Sequence, residues 1–208
     1  MKKIFLLACL VVSSIAVNAQ ASKVFDATEV VWYGLDFTKA HFVGQFDQGM
    51  GAAPASGADI KNKWMGQWNS LIAKEPQNFK IKEAFKKDNV YYDMGGMNEL
   101  NSKVDDSKIM VFNAVKLDPK EIDGMVKKYT TGDKKDGVGL SFIVENFDKG
   151  LESATVYVTF FDIATKKVLL CHPMTGKAMG VGMRNYWAGS IKAILKQLMK
   201  DEDYKSWK

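Results

Sequence analysis

Residues 138–172 read VGLSFIVENFDKGLESATVYVTFFDIATKKVLLCH, and the expected fold class turns on them. Three runs rich in β-branched and aromatic residues, Val138 to Phe147, Ala154 to Asp162 and Lys167 to His172, are separated by short polar turns. In the middle run Ala154, Val156, Val158 and Phe160 fall on one side, and Thr155, Tyr157 and Thr159 on the other. Alternation with period two is the signature of a strand. Turns this short join antiparallel neighbours, so the segment predicts a three-stranded meander.

Upstream, Glu29 to Phe37 (EVVWYGLDF) predicts a first strand, and Gly44 to Ala58 a glycine- and alanine-rich loop. Ile60, Trp64, Trp68, Leu71 and Ile72 recur on one helical face, which predicts a helix from Asp59. A second helix opens at Pro76 and runs through Lys87, burying Ile81, Ala84 and Phe85. Short strands are expected at Val90-Tyr91-Tyr92, ended by Met94-Gly95-Gly96-Met97, and at Lys108 to Lys116. Asp118-Pro119-Lys120-Glu121 combines a capping acid, a proline at the first helical position and a returning glutamate, the start of a third helix. Asn185 to Lys200 is the last, with Trp187, Ile191, Ile194, Leu195 and Leu198 on its buried face. The tail, Asp201 to Lys208, is charged and expected to fray, leaving Trp207 free. The expected class is α+β: a largely antiparallel sheet with a C-terminal meander, packed by about four helices. This order of elements resembles compact envelope domains that assemble or tether complexes.

The N-terminus has the pattern of an export signal. Met1-Lys2-Lys3 is a positive start, Ile4 to Val17 is mostly apolar, and Val17-Asn18-Ala19 suits cleavage before Gln20. The apolar stretch is shorter than the ~20 residues a permanent anchor requires. Cys9 could suggest a lipobox, but only Ile4 to Ala8 would precede it, less than the roughly 7 residues a signal needs. The expectation is a signal peptide over 1–19 and one domain over 20–208, working in the periplasm or outside the cell. The ending Asn18-Ala19-Gln20 resembles the signal peptides of uncharacterised exported proteins of the Bacteroidetes, a likeness confined to the leader.

Composition narrows the function classes. Without the leader's two lysines the formal net charge falls from +5 to +3, and Arg184 is the only arginine in the chain. Repeated phosphate gripping favours several arginines, so nucleic acid is not an expected partner. Only Cys171 survives the leader, which leaves no internal disulfide, and its apolar run suggests a buried, inert thiol. G-x-S-x-G, H-E-x-x-H, Walker A, dinucleotide and C-x-x-C motifs are missing, and no cofactor is expected. The two histidines are His41 and His172. The second follows Cys171 directly, so on a strand the two point to opposite faces.

Three candidate chemistries remain. The segment Thr175 to Asn185, TGKAMGVGMRN, leads into the last helix; Lys177, Gly180, Gly182 and Arg184 could cradle a small anion at the helix start. Asp93, Glu99, Asp105 and Asp106 cluster in sequence and could supply the paired carboxyls of a hydrolase. Met94, Met97, Met174, Met179 and Met183 flank glycine-rich stretches and could bind Cu(I) through soft thioethers. The favoured reading is a non-catalytic exported binding module, recognising an envelope protein or a small anionic ligand through loops around Gly49, Gly95 and Gly180.

Overall fold

The computed structural model describes residues 21–49, 51–200 and 207. The expected leader lies outside them. Seven strands form one sheet: β1 (Glu29–Asp36), β2 (His41–Val43), β3 (Asn89–Tyr92), β4 (Met110–Val111), β5 (Val138–Asp148), β6 (Ser153–Asp162) and β7 (Val168–Lys177). The first five are parallel, in the order β3-β1-β5-β2-β4. Antiparallel β6 and β7 extend the sheet from β5. Because β6 pairs along β5 from Val138 to Asp148, β1 and β2 must share the opposite edge. There β1 pairs with Gly139–Ile143 and β2 with Asn146–Asp148, one after the other.

Helices cover both faces. Helix α1 runs through Gly57–Asp59, a π-helical turn at Ile60–Trp64, and Met65–Lys74. Ser56 caps it: its hydroxyl accepts from the Asp59 amide while the Asp59 carboxylate accepts from the Ser56 amide. Then come α2 (Pro76–Phe79), α3 (Ile81–Ala84), α4 (Gly95–Ser102), α5 (Ile122–Val126) and α6 (Gly182–Leu198). Residues 21–26 are also helical. Ile60, Trp68 and Ile72 of α1 pack with Trp187, Ile191 and Leu198 of α6 against Phe42, Phe142, Phe147 and Phe160 of the sheet. On the other face Met97, Ile122, Met125 and Val126 meet Tyr33, Ile143 and Phe161. Each of these large apolar side chains contributes on the order of 1.5–3 kcal/mol on burial.

The expected class, a largely antiparallel α+β sheet, is therefore corrected: the architecture is parallel α/β. The physical reason is that β5 is buried along its whole length and β1 along nearly all of it. Burial on both faces is the hallmark of strands sandwiched between crossover helices. The meander at β5–β7 is antiparallel, but it forms one wing of the sheet.

Local differences have local causes. The helix expected from Pro76 to Lys87 breaks at Lys80, whose left-handed φ of 46° ends α2 and starts α3. Met94-Gly95-Gly96-Met97 begins α4 as well as ending a strand. The strand expected over Lys108 to Lys116 contracts to Met110–Val111. Asp118 does cap, accepting from the Lys120 amide, although the first turn, Pro119–Glu121, is a 3₁₀ turn. β7 runs on to Lys177, five residues beyond His172. Trp207 is buried and stacks on His172 with ring centroids 4.3 Å apart, so it is not the free side chain expected.

Candidate functional site

Ligands of parallel α/β sheets usually lie beyond the carboxyl ends of the strands, where the chain's winding reverses. From β2, across β5 from β1, the chain returns to β3 through α1–α3, packed on one face; from β3 it reaches β4 past α4 and then β5 past α5, both packed on the other. The space at the end of β1 is filled. There a bulge at Gly34 (φ 103°) brings the backbone against Asn69, whose Oδ1 would stand 2.8 Å from any Cβ at that position. Asn69 accepts from the Leu35 amide at 2.7 Å and donates to its carbonyl at 3.1 Å. Asn101 likewise accepts from the Phe37 amide and donates to the Leu35 carbonyl. The buried Asp36 carboxylate accepts from the Thr38 amide and hydroxyl and from the Tyr129 hydroxyl. Burial pushes the Asp36 carboxyl up, and these donors oppose the shift. The buried Tyr129 hydroxyl lies well above the usual phenol range, through burial and then the Asp36 charge. This polar cluster pins the β1–β2 junction in place.

Beyond it the strands end together. Val43 pairs with Val111 and with Asp148, Asp148 with Ser153, and Ser153 with Lys177. Four strands thus finish and β6 begins at one level, and the loops beyond them form a rim. The hairpin 149–152 is fixed by the Asp148 carboxylate, which accepts from the Leu151 amide at 2.9 Å. The segment 178–181 is fixed by bonds from the Ala178 amide to the Glu152 carbonyl and from the Met179 amide to the Tyr186 carbonyl. Gly189 of α6 makes that approach possible, since a Cβ there would lie 2.0 Å from the Met179 carbonyl oxygen.

Two depressions flank the start of α6. The first, about 280 Å³, is walled by Asp47, Gly49, Lys149, Glu152, Gly182 and Tyr186. The Lys149 ammonium lies 5.3 Å from the centre of the Tyr186 ring. Burial, followed by the Glu152 carboxylate, raises the Tyr186 hydroxyl above its ordinary value. The second, about 450 Å³, includes Glu75, Asn78, Gly180, Arg184 and Lys192. No side chain caps α6, and its first turn holds no acid. The four residues singled out from the sequence therefore divide: Gly182 lines the first depression, Gly180 and Arg184 the second, and Lys177 closes β7 outside both linings. Of the three glycine-rich loops, those at Gly49 and Gly182 meet in the first depression. Gly95 does not join them: β3 ends level with Leu140, eight residues short of Asp148 along β5. That is roughly 25 Å away along the strand.

Sequence reasoning missed the rim's apolar tips. Phe112 is 96% exposed, Val181 89%, Leu151 69% and Met179 63%, and these are four of the seven large exposed hydrophobic residues among those described. Isolated apolar residues in loops carry no periodic signal, and only the strand register shows that they share one end.

The other candidates are dispersed. The Asp93 carboxylate accepts from the Gly132 amide, Glu99 pairs with Lys103, Asp105 with Lys108, and Asp106 with Lys61. Hydrogen bonds from Lys108 and then Ser107 hold the Asp105 carboxyl down at about 2. Met174 and Met183 pack in one core cluster and Met97 in the other. Cys171 Sγ lies 3.4 Å from the Thr159 hydroxyl, and burial raises its thiol. Among the described residues, no group of three or more His, Cys, Asp or Glu side chains is placed to hold a metal ion. No described helix is long and apolar enough to cross a membrane. No protein-family model, curated protein or solved structure matches the chain.

Proposed function

We propose that the protein is an exported, non-catalytic binding module that engages its target through the rim at the ends of β2, β4, β5 and β7. The observation that carries this reading is that Phe112, Leu151, Met179 and Val181 all lie beyond one level of the sheet, Met179 and Val181 next to the start of α6. Exposed apolar side chains cost solubility, and a concentration of them marks an interaction surface. Gly180, Gly182 and Arg184 line the two depressions beside it, and Lys177 stands at its margin. The leader read from residues 1–19 supports export, so the target belongs to the bacterial envelope.

The test is co-sedimentation of the exported protein with a bacterial envelope fraction. Wild type is expected to sediment, and the double variant Leu151→Ser/Val181→Ser to lose binding tenfold or more. Equal sedimentation of the two proteins would remove the rim from the reading.

A further inference from the structure

We infer that Tyr33, Asp93 and Lys166 hold one structural water molecule beneath the turn that joins β6 to β7. Two polar atoms there are buried without a hydrogen-bond partner among the described residues, the Tyr33 hydroxyl and the Lys166 ammonium. Tyr33 is 1% exposed, and its ring packs against Phe161 and Tyr129 with centroids 5.0 Å and 6.4 Å away. Lys166 has a left-handed backbone, φ 59°, which is uncommon for any residue with a Cβ. A lysine in a turn ordinarily extends its ammonium into water; this one turns it inward.

Asp93 stands beside both groups. Val31 pairs with Tyr91, and the Asp93 amide donates to the Trp32 carbonyl, so the parallel register sets Asp93 alongside Tyr33 on the same face. Its Oδ2 accepts from the Gly132 amide at 2.7 Å, and a carboxylate has capacity for further donors. Burial and then the Asp93 charge push the Tyr33 hydroxyl up to about 12. Burial lowers Lys166, and Asp93 is the foremost charge opposing that fall. The ammonium nevertheless lies beyond hydrogen-bond reach of the carboxylate, a gap of the kind that water bridges.

The chemistry of the three groups selects the occupant. Lys166 requires an acceptor, Asp93 a donor, and the Tyr33 hydroxyl takes either. Water serves all three and makes the three bonds typical of a buried molecule. An anion would meet the Asp93 charge, and a cation the Lys166 charge. Lys166 and Asp93 balance each other, Asp162 is paired with Lys23, and Lys135 is exposed with its ammonium on the Thr131 carbonyl. A neutral occupant fits that balance, and it links the β6–β7 turn to β1 and to the residue after β3.

The test is a high-resolution crystal structure of the protein, a second crystal soaked in sodium bromide, and urea unfolding of Tyr33→Phe, Lys166→Met and the double variant. A single peak is expected at roughly 2.6–3.2 Å from all three groups, without anomalous signal from bromide. Lys166→Met should raise the unfolding equilibrium constant roughly tenfold and Tyr33→Phe several-fold. Because one water serves both side chains, the double variant should fall short of the product of the two effects. An unfolding constant lowered by Lys166→Met would overturn the inference, since deleting an ammonium that has no partner is stabilising. Empty density between the three groups, or a Lys166 ammonium extended into solvent, would overturn it directly. An anomalous bromide peak would replace the water with an anion and overturn it as well.

Discussion

The Tyr129 hydroxyl donates a hydrogen bond of 2.6 Å to the Asp36 carboxylate, joining residues far apart in the chain inside the protein. Tyr129→Phe removes a donor from a buried charge, and such losses cost about 1–3 kcal/mol. Asp36→Asn keeps the oxygen that accepts from Thr38 and turns an NH2 toward Tyr129, whose hydroxyl then accepts instead of donating; with no charge left buried, it should cost less at neutral pH. Urea unfolding of the two variants at pH 7 would check this order.

Asp36 also has a pH signature. Its folded-state pKa is raised from 3.8, so on the way up in pH the unfolded chain releases this proton first. The contribution to stability is present below the ordinary value and is lost as pH rises through the folded one. Wild type should therefore lose stability relative to Asp36→Asn as pH rises from about 4. Parallel unfolding curves at several pH values would show the difference, and a constant offset would contradict it.

Lys87 has the opposite sign. Its ammonium donates to the carbonyls of Val24 and Ala27, holding residues 21–26 against the domain. Burial lowers its pKa from 10.5 to about 8. Between those values the unfolded chain holds the proton that the folded protein has released, so stability rises with pH. Wild type should gain stability relative to Lys87→Met from about pH 8 to 10. Thermal melts across that window are the measurement.

Side chains on the rim and in the core should differ sharply in their effect on stability. Phe112→Ser should change stability by no more than about 0.5 kcal/mol, because Phe112 is exposed. Phe147→Ala should cost about 3–5 kcal/mol. That ring is buried and packs against Phe37, Phe42, Trp68 and Trp187. Denaturant midpoints would separate them.

Gly189→Ala tests the support of the rim. The added methyl would meet the Met179 carbonyl, so the 178–181 segment must move away from α6. A loss of about 1–3 kcal/mol is expected, as for other overpacked sites. Faster hydrogen exchange at the Met179 amide, now bonded to the Tyr186 carbonyl, would report the displacement.

Much of the local architecture was legible in the chain. The helical stripe of Ile60, Trp64, Trp68 and Ile72 is buried as its spacing indicates, and Asp118 caps the turn that its motif predicts. Both signals depend on residues a few positions apart. The rim was only half legible: Gly180, Gly182 and Arg184 stood out through residue type, whereas Asp47, Lys149 and Glu152 resemble ordinary solvated loop charges. Nothing within Gly150-Leu151-Glu152 indicates that Leu151 comes level with Phe112 and Val181.

What the sequence determined by itself was most of the elements, though not β2 or α4, the apolar faces they bury and the export pattern expected at the N-terminus, since periodicity, capping and leader grammar are short-range properties. Tertiary structure alone decided that β1 lies parallel to β3 and β5 and that β2 continues along β5 beyond it. Strand direction across a crossover depends on which distant faces must be covered, and helices packed on both faces of β1 and β5 select the parallel arrangement. The same long-range register brings five strand ends to one level and assembles the rim.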